Sequence, residues 1–197
     1  LNIKKNIKKR LRKNNWKNLM QAKKAKADLT DKELLRYNRH IVLPEIDIDG
    51  QILLSNKKVV VIGLGGLGCP VATYLTSSGL GHLCLIDHDS VSLSNLNRQI
   101  LFTEDDISKM KVIAARDRLK KLNSDISIKA ITEKFDMNFN SSFLKDYDIV
   151  IDCTDNFETR SLINKFSISN KIPLITGAAL KFEGQVAIFR NDLDNMP

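Results

Sequence analysis

The spacing of apolar positions changes period several times along this chain, and each change marks an element. Lys57 to Ile62 (KKVVVI) carries a β-branched run, Val59 to Ile62, and predicts a buried strand. Gly63 to Gly68 then predicts a turn, and Pro70 to Ser78 a helix. Leu83 to Asp87 (LCLID) predicts a second strand. From Ser108 to Leu122 the apolar Met110, Ile113, Ala114 and Leu119 recur with helical spacing. Ile126 to Ile131 alternates as a strand, Asp148 to Asp152 (DIVID) follows, and Glu158 to Ser169 returns to the helical period. Ile172 to Thr176 and Gln185 to Phe189 close the series as strands. Upstream, Thr30-Asp31-Lys32-Glu33 fits a capping box, which predicts a helix from Thr30 to about Ile41; Pro44 cannot extend it.

Strands alternating with helices of this length predict an α/β, Rossmann-like domain with a mostly parallel sheet and helices on both faces. The connection from His88 to Ile107 is long, and ordered loops of that length in such folds tend to carry function. No internal repeat is visible.

Charge divides the 197 residues in two. The formal net charge is +8, but residues 1–27 hold eleven Lys and Arg and no acid. The rest carries 20 basic and 23 acidic residues, a net of −3. The expected organisation is a basic arm over residues 1–29 and a folded domain over 30–197. Ile3, Ile7 and Leu11 recur every fourth residue, so the arm reads as a solvated helix or tail. Contact with anionic lipid or nucleic acid is its second reading, and nucleic acid is not the expected partner. No apolar run approaches the ~20 residues of a membrane span. Leu1 to Lys9 lacks a signal core, and Cys69, Cys84 and Cys153 form no C-x-x-C pair. A cytoplasmic protein is expected, with organelle import through the basic arm left open. The first residue is not Met, so the chain does not read as starting at a native initiator.

The chemistry begins at Gly63-Leu64-Gly65-Gly66-Leu67-Gly68, a glycine-rich turn between a strand and a helix. Backbone N–H groups and the helix dipole favour phosphate there, and glycine permits close approach. Asp87 ends the second strand, 24 residues after Gly63, where an acid can accept both ribose hydroxyls. These two features predict a dinucleotide or ATP site. A triphosphate also needs cations and a magnesium carboxylate. Arg98, Lys111 and Asp155 each stand at a strand end or helix start and supply them.

Taken together, Arg36-Tyr37-Asn38-Arg39, Val42-Leu43-Pro44-Glu45, Gly50-Gln51, GLGGLGCP at 63–70, DHDSVSLSNLNRQ at 87–99, Lys111, DCTDN at 152–156 and EGQ at 183–185 resemble the MoeB/ThiF-type family of ubiquitin-activating-like adenylyltransferases. The resemblance runs from about Thr30 to Arg190. It implies that the C-terminal glycine of a small β-grasp ubiquitin-like or sulfur-carrier protein is adenylated with ATP and Mg²⁺. It further implies a nucleotide site made of Gly63, Gly65, Gly66, Asp87, Ser94, Asn95, Leu96, Asn97, Arg98, Gln99, Lys111, Asp155 and Asn156. In that set Gly66 packs against the phosphates, Asp87 holds the ribose, and Asn95, Arg98 and Lys111 bind the triphosphate. Asp155 ligates Mg²⁺ with Asn156 beside it, and Arg39 reaches the γ-phosphate from the partner subunit of a homodimer. Arg39, Arg98, Lys111 and Asp155 are thus the implied catalytic residues. His40, His82 and His88 read as packing or surface positions. The sequence ends at Pro197, whereas members of the family continue with two zinc-binding C-x-x-C pairs, so zinc is expected only beyond that point and the chain reads as a fragment. Two other readings are an NAD-dependent dehydrogenase, which leaves Arg98, Lys111 and Asp155 without work, and a non-catalytic subunit of a heterodimeric activating enzyme.

Overall fold

The four residues from Val59 to Ile62 (VVVI) include no polar position to turn toward water, so a strand built from them must be covered on both faces. The computed structural model, which describes residues 26–193, places this strand, β1 (Lys58–Ile62), between two parallel neighbours. These are β2 (His82–Ile86) and β4 (Ile149–Asp152). With β3 (Ser127–Ile131), β5 (Leu174–Leu180) and β6 (Glu183–Phe189), the sheet order is β3-β2-β1-β4-β5-β6. All pairs are parallel except β5 with β6. The Ile3–Ile7–Leu11 helix lies outside the described residues.

Side chains alternate across a strand. Val59, Val61, Leu83 and Leu85 therefore enter one apolar core, which they share with Cys69 and Ala72 of α4 (Gly68–Ser77) and Val112, Ala115 and Leu119 of α5 (Lys111–Leu122). Val60, Ile62, Cys84, Ile86 and Val150 enter a second core on the opposite face, closed by Ile163 of α6 (Phe157–Ser169) with Phe135 and Leu144. The α/β, mostly parallel arrangement with helices on both faces is as the sequence predicts. Among the described residues no helix is long and apolar enough to cross a membrane.

The upstream segment departs from expectation. The capping box forms, with Thr30 accepting from Glu33 N and Glu33 accepting from Thr30 N, but the helix does not run unbroken to Ile41. It is split into α1 (Asp31–Arg36) and α2 (Asn38–Ile41) at Tyr37. Tyr37 is buried, and its hydroxyl accepts from Asn123 Nδ2 at 3.0 Å. A further helix, α3 (Asp47–Ser55), had no clear apolar period to announce it. It is fastened by Gln51, which is fully buried; its Nε2 donates to Ser78 O at 2.9 Å and its Oε1 lies 2.9 Å from His40 Nδ1. Downstream, α5 starts at Lys111 rather than Ser108, because Ser108 has a left-handed φ of 72° and Met110 is extended. The last two strands are longer than expected and pair as a hairpin, with Lys181 at φ 55° in its turn.

Two glycines of the 63–68 turn separate folding from function. A Cβ on Gly68 would sit 1.9 Å from Gly63 O, backbone against backbone, whereas one on Gly65 meets nothing within 4 Å. Gly68→Ala is expected to cost roughly 3 kcal/mol or more, and Gly65→Ala less than about 1 kcal/mol. Urea unfolding of both variants checks this.

Candidate active site

The chain runs from β1 outward to β2 and β3, then returns to β4 on the other side of β1. That reversal opens a crevice at the carboxyl ends of β1, β2 and β4, where open α/β sheets bind ligands. Gly63 (φ 90°) turns the chain away from β1, and a Cβ there would lie 2.9 Å from Cys153 O. The crevice is a cavity of about 720 Å³, within the usual range for a ligand site. Gly63, Gly65, Gly66, Asp87, Asn95, Arg98, Gln99, Lys111, Asp155 and Asn156 all line it. Residues distant in sequence are thus gathered on one wall or another of a single space.

Asp87 is buried, with Oδ2 accepting from Leu64 N at 2.6 Å and Oδ1 from Asp89 N at 2.8 Å. Each carboxylate oxygen has a second lone pair, so the acid can accept further donors. Lys111 is also buried and donates from Nζ to Asp89 Oδ2 at 2.8 Å. The Lys111 ammonium holds the Asp89 carboxyl below the usual carboxylate range, against the opposing effect of partial burial. Arg98 is exposed and folds back on its own loop, donating from Nη1 to Ser94 O and Asn97 Oδ1, both at 3.1 Å. Its stem covers Gly66, where an added Cβ would touch Arg98 Cγ and Cδ at 3.6 Å. Gln99 is 3% exposed, and its Oε1 has no partner among the described residues.

The loop after β4 divides its two acids. Asp152 is buried and turned into the fold: Oδ1 accepts from Thr154 N at 2.9 Å and Thr154 Oγ1 at 2.6 Å, and Oδ2 from Thr176 Oγ1 at 2.9 Å. Asp155 is exposed at the cleft and makes no hydrogen bond or ion pair among the described residues. A carboxylate at the cleft with no partner among the described residues is a hard oxygen donor suited to Mg²⁺. Asn156 caps α6, accepting from Thr159 N at 2.9 Å.

Four expected residues do not line the cavity. Leu96 packs against the core, Ser94 Oγ lies 3.0 Å from Ser92 Oγ, and Asn97 meets Arg98. Arg39 is exposed on α2, which is fastened near Gly79 through Tyr37 and Gln51. Conversely, Asp89, Glu133, Lys134, Thr154 and Arg160 line the cleft without having been singled out. Arg160 donates to Thr154 O and to Gly177 O (2.6 Å), and so ties the β4 loop to β5. The available signal was positional: Asp89 stands three residues past the end of β2, and Arg160 lies one helical turn beyond the Asn156 cap.

The sequence pattern of the ThiF family matches residues 37–196. The chain belongs to the ThiF family. Molybdopterin-synthase adenylyltransferase of Escherichia coli K12 is 44% identical over 163 residues, covering 83% of this chain and 66% of that protein. The adenylyltransferase and sulfurtransferase MOCS3 of Culex quinquefasciatus is 42% identical over 163 residues, covering 83% of this chain and 37% of that protein. Among solved structures, PaaA superposes with a TM-score of 0.75 at 32% identity, over 85% of this chain and 57% of PaaA. E. coli MccB, solved with AMPCPP and MccA, gives 0.70 at 31% identity, over 78% of this chain and 48% of MccB. This ThiF-family chain spans about two thirds of the length of its bacterial relatives and little more than a third of the insect ones.

The three thiols of this ThiF-family chain are free and buried. Burial pushes Cys153, beside the cleft, up to about 12, and Cys69 and Cys84 up to about 11. Neutral thiols contribute stability that is complete below their ordinary value of about 9 and is lost as pH rises toward the folded values. At pH 8 Ellman's reagent is expected to label none of the three in the folded protein and all three in denaturant. Stability should fall between pH 9 and 11. Rapid labelling of the native protein at pH 8 contradicts this account.

Proposed function

We propose that this protein is an adenylyltransferase that uses ATP and Mg²⁺ to activate the C-terminal glycine carboxylate of a small β-grasp ubiquitin-like or sulfur-carrier protein. The observation that carries the reading is the gathering of Asp87, Arg98, Lys111 and Asp155 with the glycine turn around one cavity. The adenylyltransferase relatives and the AMPCPP in the similar MccB structure support it.

In the reaction, a carboxylate oxygen of the carrier bonds to the α-phosphorus, and the bond from that phosphorus to the bridging oxygen breaks. Pyrophosphate leaves with the electron pair, and the acyl adenylate remains. No protein nucleophile takes part, so the work is positioning and charge neutralisation. The turn amides and Gly66 receive the phosphates, Asp87 accepts from the ribose, and Arg98 and Lys111 offset repulsion between carboxylate and triphosphate. Mg²⁺, held by Asp155 and the nucleotide's own oxygens, would supply further charge neutralisation.

We further propose a homodimer in which Arg39 serves the partner's cleft. Its support is the exposed Arg39, outside its own cavity, on a segment that also exposes Leu35, Val42, Leu43 and Ile48. A cytoplasmic setting suits three free thiols.

Two tests separate these assignments. In the full-length protein Asp155→Ala should abolish carrier-dependent ATP–pyrophosphate exchange while the fold and metal-free nucleotide binding persist. Asp87→Ala should instead cut nucleotide affinity by roughly 1.5–3 kcal/mol, the worth of a charge-assisted contact. Normal exchange by Asp155→Ala with Mg²⁺ present rejects the metal assignment. For the dimer, Arg39→Ala and Lys111→Ala proteins are each expected to be inactive. Their mixture, re-equilibrated, should recover up to about a quarter of wild-type activity, since half the dimers are mixed and hold one intact site. No recovery on mixing rejects action in trans.

A further inference from the structure

Lys111 opens α5 with a side chain only 6% exposed. A buried ammonium needs a counter-charge, and Asp89 provides it at 2.8 Å. The two residues are also joined through the backbone, Lys111 N donating to Asp89 O at 2.9 Å. On its other side Asp89 N donates to Asp87 Oδ1, and Asp87 Oδ2 accepts from Leu64 N in the glycine turn. A continuous chain of hydrogen bonds therefore runs from the turn through both acids to the ammonium. The Asp89 carboxylate is itself half exposed, with His88 Nε2 at 3.5 Å from its other oxygen. So exposed an acid gains little from the ion pair. The arrangement serves the lysine.

We propose that Asp89 is a positioning residue: it fixes the Lys111 ammonium on the cleft wall, in register with Asp87, so that ribose and phosphates are gripped as one unit. The inference rests on the ATP reading above. An ammonium has three N–H donors, and Asp89 takes one, leaving two for phosphate oxygens. The lysine thus keeps its protein partner when a nucleotide arrives and has no ion pair to break. Removing Asp89 frees a flexible four-carbon stem whose ordering must then be supplied by the nucleotide. The loss should fall on phosphate recognition and spare the nucleoside.

Calorimetric titration of the full-length protein with ATP–Mg²⁺ and, separately, with adenosine tests this. The proteins are wild type, Asp89→Asn, Asp89→Ala, Lys111→Ala and the Asp89→Asn/Lys111→Ala double variant. Both Asp89 variants are expected to bind ATP about tenfold more weakly and adenosine within twofold of wild type. In the Lys111→Ala background, Asp89→Asn should change ATP affinity by less than twofold, because its effect passes through the lysine. Equal losses for ATP and adenosine overturn the proposal, since they mark a structural effect on Asp87. Full additivity with Lys111→Ala overturns it as well. If Lys111→Ala weakens ATP and neither Asp89 variant does, the positioning role fails and the nucleotide site stands. If wild type does not bind ATP, both fall.

Discussion

The cleft depends on how closely one stretch of backbone can pass another where β1 ends. Gly63 lies against the carbonyl of Cys153 after β4, and Gly68 lies against the carbonyl of Gly63, with no room for a methyl group at either place. This contact sets the start of α4 against the ends of the two central strands and brings the β4 loop, with Asp155, to the turn. A side chain at either position would push the helix outward and open the crevice that the other groups share. The cores on the two sheet faces hold the strands, but this packing of bare backbone decides what the strands present at their ends.

Around that fixed point the polar groups fall into two kinds. Asp152, Asn156 and Arg160 are committed to the fold, binding the turn, capping α6 and tying the β4 loop to β5. Asp155 and Arg98 face solvent, and Asp87 and Lys111 are buried at the wall with bonding capacity left over. A ligand site needs both: a frame whose polar atoms are satisfied and a few groups whose atoms are not.

Much of this was legible in the sequence because its signals are local. The KVVVI run, the glycines and the acid 24 residues on report a strand, a turn and a second strand end by spacing alone. The separate fates of Asp152 and Asp155 follow from their places at the end of a strand and in the loop beyond it. What was not legible depends on partners far away in the chain. The α3 helix is fastened through Gln51 to His40 and Ser78, and no apolar period announces such a bond. Tyr37 breaks the first helix because its hydroxyl has a partner 86 residues on, at Asn123. Asp89 and Lys111 are 22 residues apart and meet only after the intervening loop folds back between them.

The state of Cys153 has a consequence for the proposed chemistry. An acyl adenylate is electrophilic, and the Cys153 thiol is a soft nucleophile among the residues that line the cavity. The attacking species is the thiolate, and burial keeps Cys153 protonated throughout the neutral range. Under the proposed function, an activated carboxyl group in this cavity would meet a sulfur held in its unreactive, protonated form, and the protein would be spared from acylating itself.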